Sequence, residues 1–171
     1  SYYGGMGVYY ARSTDGGVNW TKPLRLDDPS PDAPGNQAWQ PSISVLSNQE
    51  VHVVWDAHIF SGRRYHTLSR DDGYTWTTPE PVGGLVSQTG PNPMFQDSSG
   101  ALFLLLAGTF DWSKKQGVYI SRWTGDKWGE LQLVNLESSE PHWLHVALAN
   151  GNRVHVVWSA RSGQPPAIWY A

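Results

Sequence analysis

The side chains best suited to chemistry in this 171-residue chain crowd into short polar stretches between strand-like runs. One set of stretches (27–40, 83–92 and 135–143) holds Trp39, Gln40, Asn92, Glu140, His142 and Trp143. A second set (56–64, 108–116 and 159–166) holds Asp56, His58, Arg63, Arg64, Asp111, Trp112, Lys114, Lys115 and Arg161. An arginine fork meets a carboxylate with two parallel N–H bonds, and an indole face stacks on a sugar ring. Asp56, Asp111 and Glu140 are available as acids or bases, but their spacing pairs none of them. The expected ligand-facing residues are Trp39, Asp56, His58, Asp111, Trp112, His142, Trp143 and Arg161. No catalytic residue is assigned.

The six histidines do not read as a metal site. His52 and His155 occupy one position of two related runs, which suits packing within a sheet. His142 and His145 are three apart on an extended segment, where alternation would send them to opposite faces. No zinc-ligand spacing occurs, and with no cysteine there is neither a disulfide framework nor a thiolate ligand. No metal and no cofactor are predicted.

These residues need a rigid support, and the composition indicates one. Hydrophobic residues are 39% and charged residues 16%, which predicts a packed domain. Eighteen glycines and 12 prolines suit many short strands joined by tight turns. A net charge of −3 with no basic block argues against nucleic acid as a partner. No apolar run approaches the roughly 20 residues of a transmembrane helix.

The support is a repeat. Ser13, Asp15, Gly17 and Trp20 share Ser-x-Asp-x-Gly-x-x-Trp with Ser69, Asp71, Gly73 and Trp76. A third copy keeps Ser121, Gly125 and Trp128 but has Trp123 where the aspartate would stand. The three serines lie 56 and 52 residues apart. A four-position match arises by chance about once in 10⁵ windows, so the copies are related. Segments 41–55, 93–107 and 144–158 align without gaps in the same phase, and short β-prone runs precede each box. A repeat of this length with four strand-like runs and no helical period predicts propeller blades. The predicted blade parts are 1–26, 41–82, 93–134 and 144–171, with strands in groups of two, four, four and three.

The boxes resemble the Asp-box (BNR) repeats of sialidase-like β-propellers, and the resemblance covers nearly the whole chain. It implies an all-β fold of four-stranded antiparallel blades, about three of them present, in a six- or seven-bladed ring completed by other blades of a longer parent chain. It also implies a structural task for the boxes. Asp15 and Asp71 should accept N–H groups of their own turns, Trp20, Trp76 and Trp128 should be largely buried, and the third turn should be the least tightly held. The two sets of polar stretches should meet at one end of the blades, away from the boxes. Sialidases need three arginines, a tyrosine nucleophile activated by a glutamate, and an acid/base aspartate. No Arg-Ile-Pro-like segment occurs, and no tyrosine lies in these stretches. The reading is therefore an extracellular or bacterial cell-surface module that binds a glycan or a surface protein. The alternatives are an exo-glycosidase completed by other blades and a structural unit of a surface assembly.

Overall fold

A computed structural model describes residues 6–27, 38–57, 63–85, 90–110, 116–136, 140–161 and 167–170. For 135, 136, 140, 160, 161 and 167–170 only the backbone course is described. The candidates His58, Asp111 and Trp112 lie outside the described residues, as do Lys114 and Lys115; Glu140 and Arg161 are placed by backbone alone.

The described residues are all β, in thirteen strands. Strands β1 (Tyr9–Tyr10) and β2 (Leu24–Arg25) form a first sheet. The second has β3 (Ala38–Val45), β4 (Val51–Ala57), β5 (Arg63–Ser69) and β6 (Glu80–Pro81) in that order. The third has β7 (Met94–Gln96), β8 (Leu102–Gly108), β9 (Gly117–Arg122) and β10 (Gln132–Leu136). The fourth has β11 (Glu140–Ala149), β12 (Arg153–Arg161) and β13 (Ala167–Tyr170). Every pairing is antiparallel between sequence neighbours. The grouping of two, four, four and three strands is that of successive propeller blades. No described helix is long and apolar enough to cross a membrane.

Sheets stack face to face, so inner strands are covered on both sides. All seven residues of β4 are buried, and the twofold alternation of side chains divides them between two neighbours. Val53, Trp55 and Ala57 join Val8 and Leu26 of the first sheet in one apolar cluster. Val54 joins Leu104, Leu106 and Tyr119 of the third sheet in another. Leu105, Ala107 and Val118 meet Val156 and Trp158 of the fourth sheet in the last. His52 and Asp56 are buried on the same face of β4 as Val54, against the third sheet.

The first two boxes form matching turns that join the third strand of a blade to its fourth. The Ser13 hydroxyl donates to Asp15 (2.7 Å) and accepts the Gly17 N–H (2.8 Å), while the Asp15 carboxylate accepts the Asn19 N–H (2.9 Å). In the second turn Ser69 donates to Asp71 (2.8 Å) and accepts from Gly73 (2.8 Å), and Asp71 accepts the Thr75 N–H (2.8 Å). The backbone N–H of Asn19 leads the bonds that hold Asp15 down to a pKa of about 2; the hydroxyl of Thr75 leads those that do the same for Asp71. Trp20 and Trp76 donate Nε1–H to the Gly17 and Gly73 carbonyls at 3.0 and 3.2 Å. Gly17 and Gly73 have φ of 92° and 87°, a left-handed conformation that L-residues rarely adopt.

The tryptophan burial expected from the boxes needs correction. Trp76 and Trp128 are half-buried, and Trp20 is 64% exposed. The reason lies in how boxes reach across. Trp76 packs edge-on against Tyr10 of the first sheet (4.8 Å), and Trp128 against His66 of the second (5.5 Å). Tyr10 and His66 each stand three residues before a box serine. No described residue occupies that place for Trp20.

The third turn is rebuilt. Thr124 N–H donates to the Lys127 carbonyl (2.9 Å), the Thr124 hydroxyl to Asp126 (2.7 Å), and Gly129 N–H to Arg122 (2.8 Å). The Ser121 hydroxyl donates to the Gly129 carbonyl (2.9 Å), and Trp123 faces Trp128 across an antiparallel bridge. Losing the aspartate changed how the turn is held without removing its hydrogen bonds.

Candidate functional site

The innermost strands β3, β7 and β11 begin at one end of the blades, opposite the boxes, and this end gathers polar side chains. Asp56, at the end of β4, has Trp39 and Arg64 as its cross-strand partners. Directly paired residues point to the same face, so Asp56 and Arg64 project together toward the third sheet. There Asn92, just ahead of β7, donates Nδ2–H to Asp56 Oδ1 (3.0 Å) and accepts Arg64 Nε–H (2.6 Å). Arg64 Nε also lies 3.2 Å from Asp56 Oδ1, and its Nη2 donates to the Ala107 carbonyl of β8. The Arg64 and Asp56 side chains are 0% and 2% exposed.

This pair couples two blades and leaves chemistry to spare. Asp56 Oδ2 and Arg64 Nη1 are buried without a hydrogen-bond partner. Burial pushes the Asp56 carboxyl up to about 6, against the Arg64 charge and the Asn92 bond that favour ionisation. Burial also pulls the Arg64 guanidinium down, opposed by Asp56. A pocket of about 310 Å³ opens beside them, lined by Arg63, Arg64 and the 81–85 segment. Arg63 is exposed at its mouth.

The first strands start under strain. β3 and β11 both shift register, between Trp39 and Ser42 and between His142 and His145. Gln40 and Trp143, equivalent in the repeat, have φ of 51° and 54°. Left-handed backbone at non-glycine residues collects at ligand-binding places. The bulge also breaks the alternation used above to send His142 and His145 to opposite faces; His142 is half-buried and His145 exposed. Trp143 is 56% exposed, and a Cβ added at Gly90 would come within 3.2 Å of its backbone nitrogen. Successive first strands therefore converge at this end.

Of the expected ligand-facing residues, Trp39, Asp56, His142 and Trp143 are described with side chains at this end, and Arg161 closes β12 as the cross-strand partner of Glu140. Asp56 is buried rather than open to solvent. The arginine and asparagine that hold it, Arg64 and Asn92, stood among the polar stretches without being singled out. Their positions at a strand start and a strand approach, flanking Asp56 in the repeat, were the available signal. Of the two expected strand histidines, His52 is fully buried and His155 half-buried. Among the described residues no group of three or more His, Asp or Glu is placed to hold a metal ion.

The fold defines the class: part of a β-propeller of four-stranded antiparallel blades. Three solved structures illustrate it. A protein of unknown function from Dyadobacter fermentans matches with a TM-score of 0.71 at 14% identity, over 98% of this chain and 55% of its own. A Penicillium chrysogenum α-L-arabinanase complexed with arabinobiose matches at 0.71 and 18%, over 96% of this chain and 54% of its own. A leech intramolecular trans-sialidase complexed with 2,7-anhydro-Neu5Ac matches at 0.65 and 16%, over 95% of this chain and 27% of its own. The chain thus spans about half the length of these structures, or less. No protein-family model and no curated protein matches it.

Proposed function

We propose that this chain is a glycan-recognising propeller module that seats its ligand at the end carrying Trp39, Gln40, Asp56, Arg64, Asn92 and Trp143. The observation that carries the reading is Trp143. This large aromatic is 56% exposed and held in left-handed backbone against Gly90, ahead of the preceding sheet's first strand. Such a fixed, solvent-facing ring is a platform for a sugar face, and the exposed Arg63, on the cavity beside Arg64, adds donors for a carboxylate or hydroxyls. The carbohydrate-acting neighbours support the same ligand class, as does the resemblance of the boxes to sialidase repeats. That resemblance also supports a place outside the cell or at a bacterial surface. The test is titration of the protein with arabinotetraose and 3′-sialyllactose, read by tryptophan fluorescence. Binding of either, weakened at least tenfold in Trp143→Ala with an unchanged thermal midpoint, is the expected result. Equal binding by the variant would place the ligand elsewhere.

A second reading, exo-glycosidase, is favoured by one observation. An aspartic acid held at about 6 is still partly protonated near neutrality and able to donate a proton. Glycoside hydrolysis ordinarily uses two carboxylates about 5–10 Å apart, and no second one is described beside Asp56. This chain alone is expected to leave a fluorogenic sialoside and a fluorogenic arabinofuranoside intact. Turnover of either, abolished by Asp56→Asn, would establish the enzyme.

A further inference from the structure

The rebuilt third box has a property that the regular boxes lack. At the first two turns the box serine, the box aspartate and the indole N–H all bond within the turn itself. At the third, the Gly125 carbonyl, the acceptor that Trp128 would use, receives Arg70 Nη2 instead (2.7 Å). Nε1 of Trp123 and of Trp128 have no hydrogen-bond partner. The two indoles stand edge to face at 5.4 Å and wrap the buried His52–His66 pair, whose rings share a 3.0 Å hydrogen bond.

The seam between the second and third sheets is open at this place. A pocket of about 230 Å³ is walled by His66, Glu80, Trp123, Asp126, Lys127 and Trp128. A smaller one of about 110 Å³ shares four of those residues and reaches Arg70. Toward the other end the larger pocket shares Pro81 and Gly83 with the cavity beside Arg63 and Arg64. The pockets follow β5, whose seven residues span roughly 20 Å at 3.3 Å per residue. That length suits several linked sugar rings.

The wall chemistry selects the occupant. Two aromatic rings offer stacking faces, and Glu80 and Asp126 offer acceptors for hydroxyls. Lys127 offers donors, while Arg70 is already held by Glu50 and the Gly125 carbonyl. With Arg70 paired to Glu50, the charged groups left facing the groove are Glu80, Asp126 and Lys127, a mixed set of acceptors and a donor rather than a cluster of one sign. A neutral polyhydroxylated ring uses donors, acceptors and apolar faces together.

We propose that this seam groove is a second glycan-binding site, seating a neutral sugar unit against Trp123 and Trp128 between Glu80 and Lys127. It is separate from the end that carries Trp143 and does not depend on that reading. Among the described residues it has no counterpart at either regular box, because there the aspartate, the glycine carbonyl and the indole N–H are consumed within the turn.

The test uses the whole chain and a panel of neutral linear tetrasaccharides (gluco-, galacto-, xylo-, manno- and arabino-), with choline and 3′-sialyllactose as charged probes. Binding is read by tryptophan fluorescence and by indole N–H shifts in NMR spectra. At least one neutral tetrasaccharide should bind and shift the Trp123 and Trp128 indole signals. Glu80→Ala and Lys127→Ala, both exposed positions, should weaken it at least tenfold with unchanged folding. Trp143→Ala should leave those two indole shifts unaltered, whatever it does to binding at its own end. Failure of every neutral probe to move those two indole signals would overturn the proposal. So would larger shifts of those two signals with choline or sialyllactose, or loss of the shifts in Trp143→Ala but not in Glu80→Ala.

Discussion

The two seams that flank the second sheet occupy equivalent places in the repeat and are built differently. Between the first and second sheets the contacts are those of an ordinary packed interface. Val8, Leu26, Val53, Trp55 and Tyr65 form the core, Tyr10 meets Trp76, and Arg12 reaches over Tyr74 (4.1 Å) to pair with Asp72 at the rim. Between the second and third sheets the apolar core of Val54, Leu104 and Leu106 is interrupted at both ends. A buried ion pair sits toward one end and a buried histidine pair toward the other. The position that is Tyr10 in one seam is His66 in the next. Three pockets follow the second seam, and buried polar atoms without partners lie along it. Where the repeat is regular it holds blades together; where it departs from itself it exposes chemistry.

The sharpest way to break this contrast is to remove one arginine from each seam. Arg64→Ala strips a fully buried charge from Asp56 and should cost about 3–5 kcal/mol. Arg12→Ala removes a rim pair whose Asp72 side chain is 45% exposed, and should cost far less. Urea unfolding of the two variants measures both. Equal losses would mean that burial does not distinguish the seams.

Next in size is the aromatic bridge of the first seam. Trp76→Ala should cost about 2 kcal/mol, below the range for a fully buried tryptophan because the ring is half-buried. A double-mutant cycle with Tyr10→Leu should recover a coupling of about 0.5–1.5 kcal/mol for the edge-on pair. A coupling of zero would reduce the bridge to coincidental proximity.

Acid should act on the second seam through its histidines. Burial lowers His52 to about 4, despite the nearby Glu50, and His66 to about 3, helped by His52. Below the ordinary value of 6.5 the unfolded chain therefore binds protons that the folded chain refuses, and stability falls as pH drops through 6.5 toward 4. Asp56 opposes this. Its raised pKa makes the folded chain hold a proton between 3.8 and about 6, a contribution that is lost as pH rises through that window. With two groups against one, the thermal midpoint should fall by a few degrees between about pH 7 and about pH 5. His66→Leu should reduce that fall. An unchanged slope in the variant would show that the pair does not carry the acid response.

How much of this was legible in the sequence follows the range of the forces involved. Strand number and grouping could be read because Ser-x-Asp-x-Gly-x-x-Trp builds its turn from neighbours within four residues. Ser13, Asp15 and Asn19 satisfy one another whatever lies beyond. Contacts between blades join residues about 30 to 65 apart, such as Asn92 with Asp56 or Trp76 with Tyr10, and no local pattern marks which will meet. The bulges that put Gln40 and Trp143 in left-handed backbone were likewise invisible, since neither residue type announces that conformation. Trp123 in the aspartate's place was visible, and it marked the turn where the structure opens a groove rather than a turn that merely loosens.

The smallest expected effect tests the rule of reach across the seams. Each box tryptophan packs on the residue three before the preceding box serine, which gives Trp76 its tyrosine and Trp128 its histidine. Trp20 makes the same bond to its own turn as Trp76 does, but its ring is 64% exposed and meets no such partner among the described residues. If the stabilisation comes from the ring crossing the seam, Trp20→Ala in this chain should change stability by no more than about 0.5 kcal/mol, the range of ordinary surface substitutions. If it comes from the turn, through the Nε1–H bond to the glycine carbonyl, Trp20→Ala and Trp76→Ala should cost the same. Unfolding the two variants side by side separates these cases, because the local bond is common to both and only the neighbour differs.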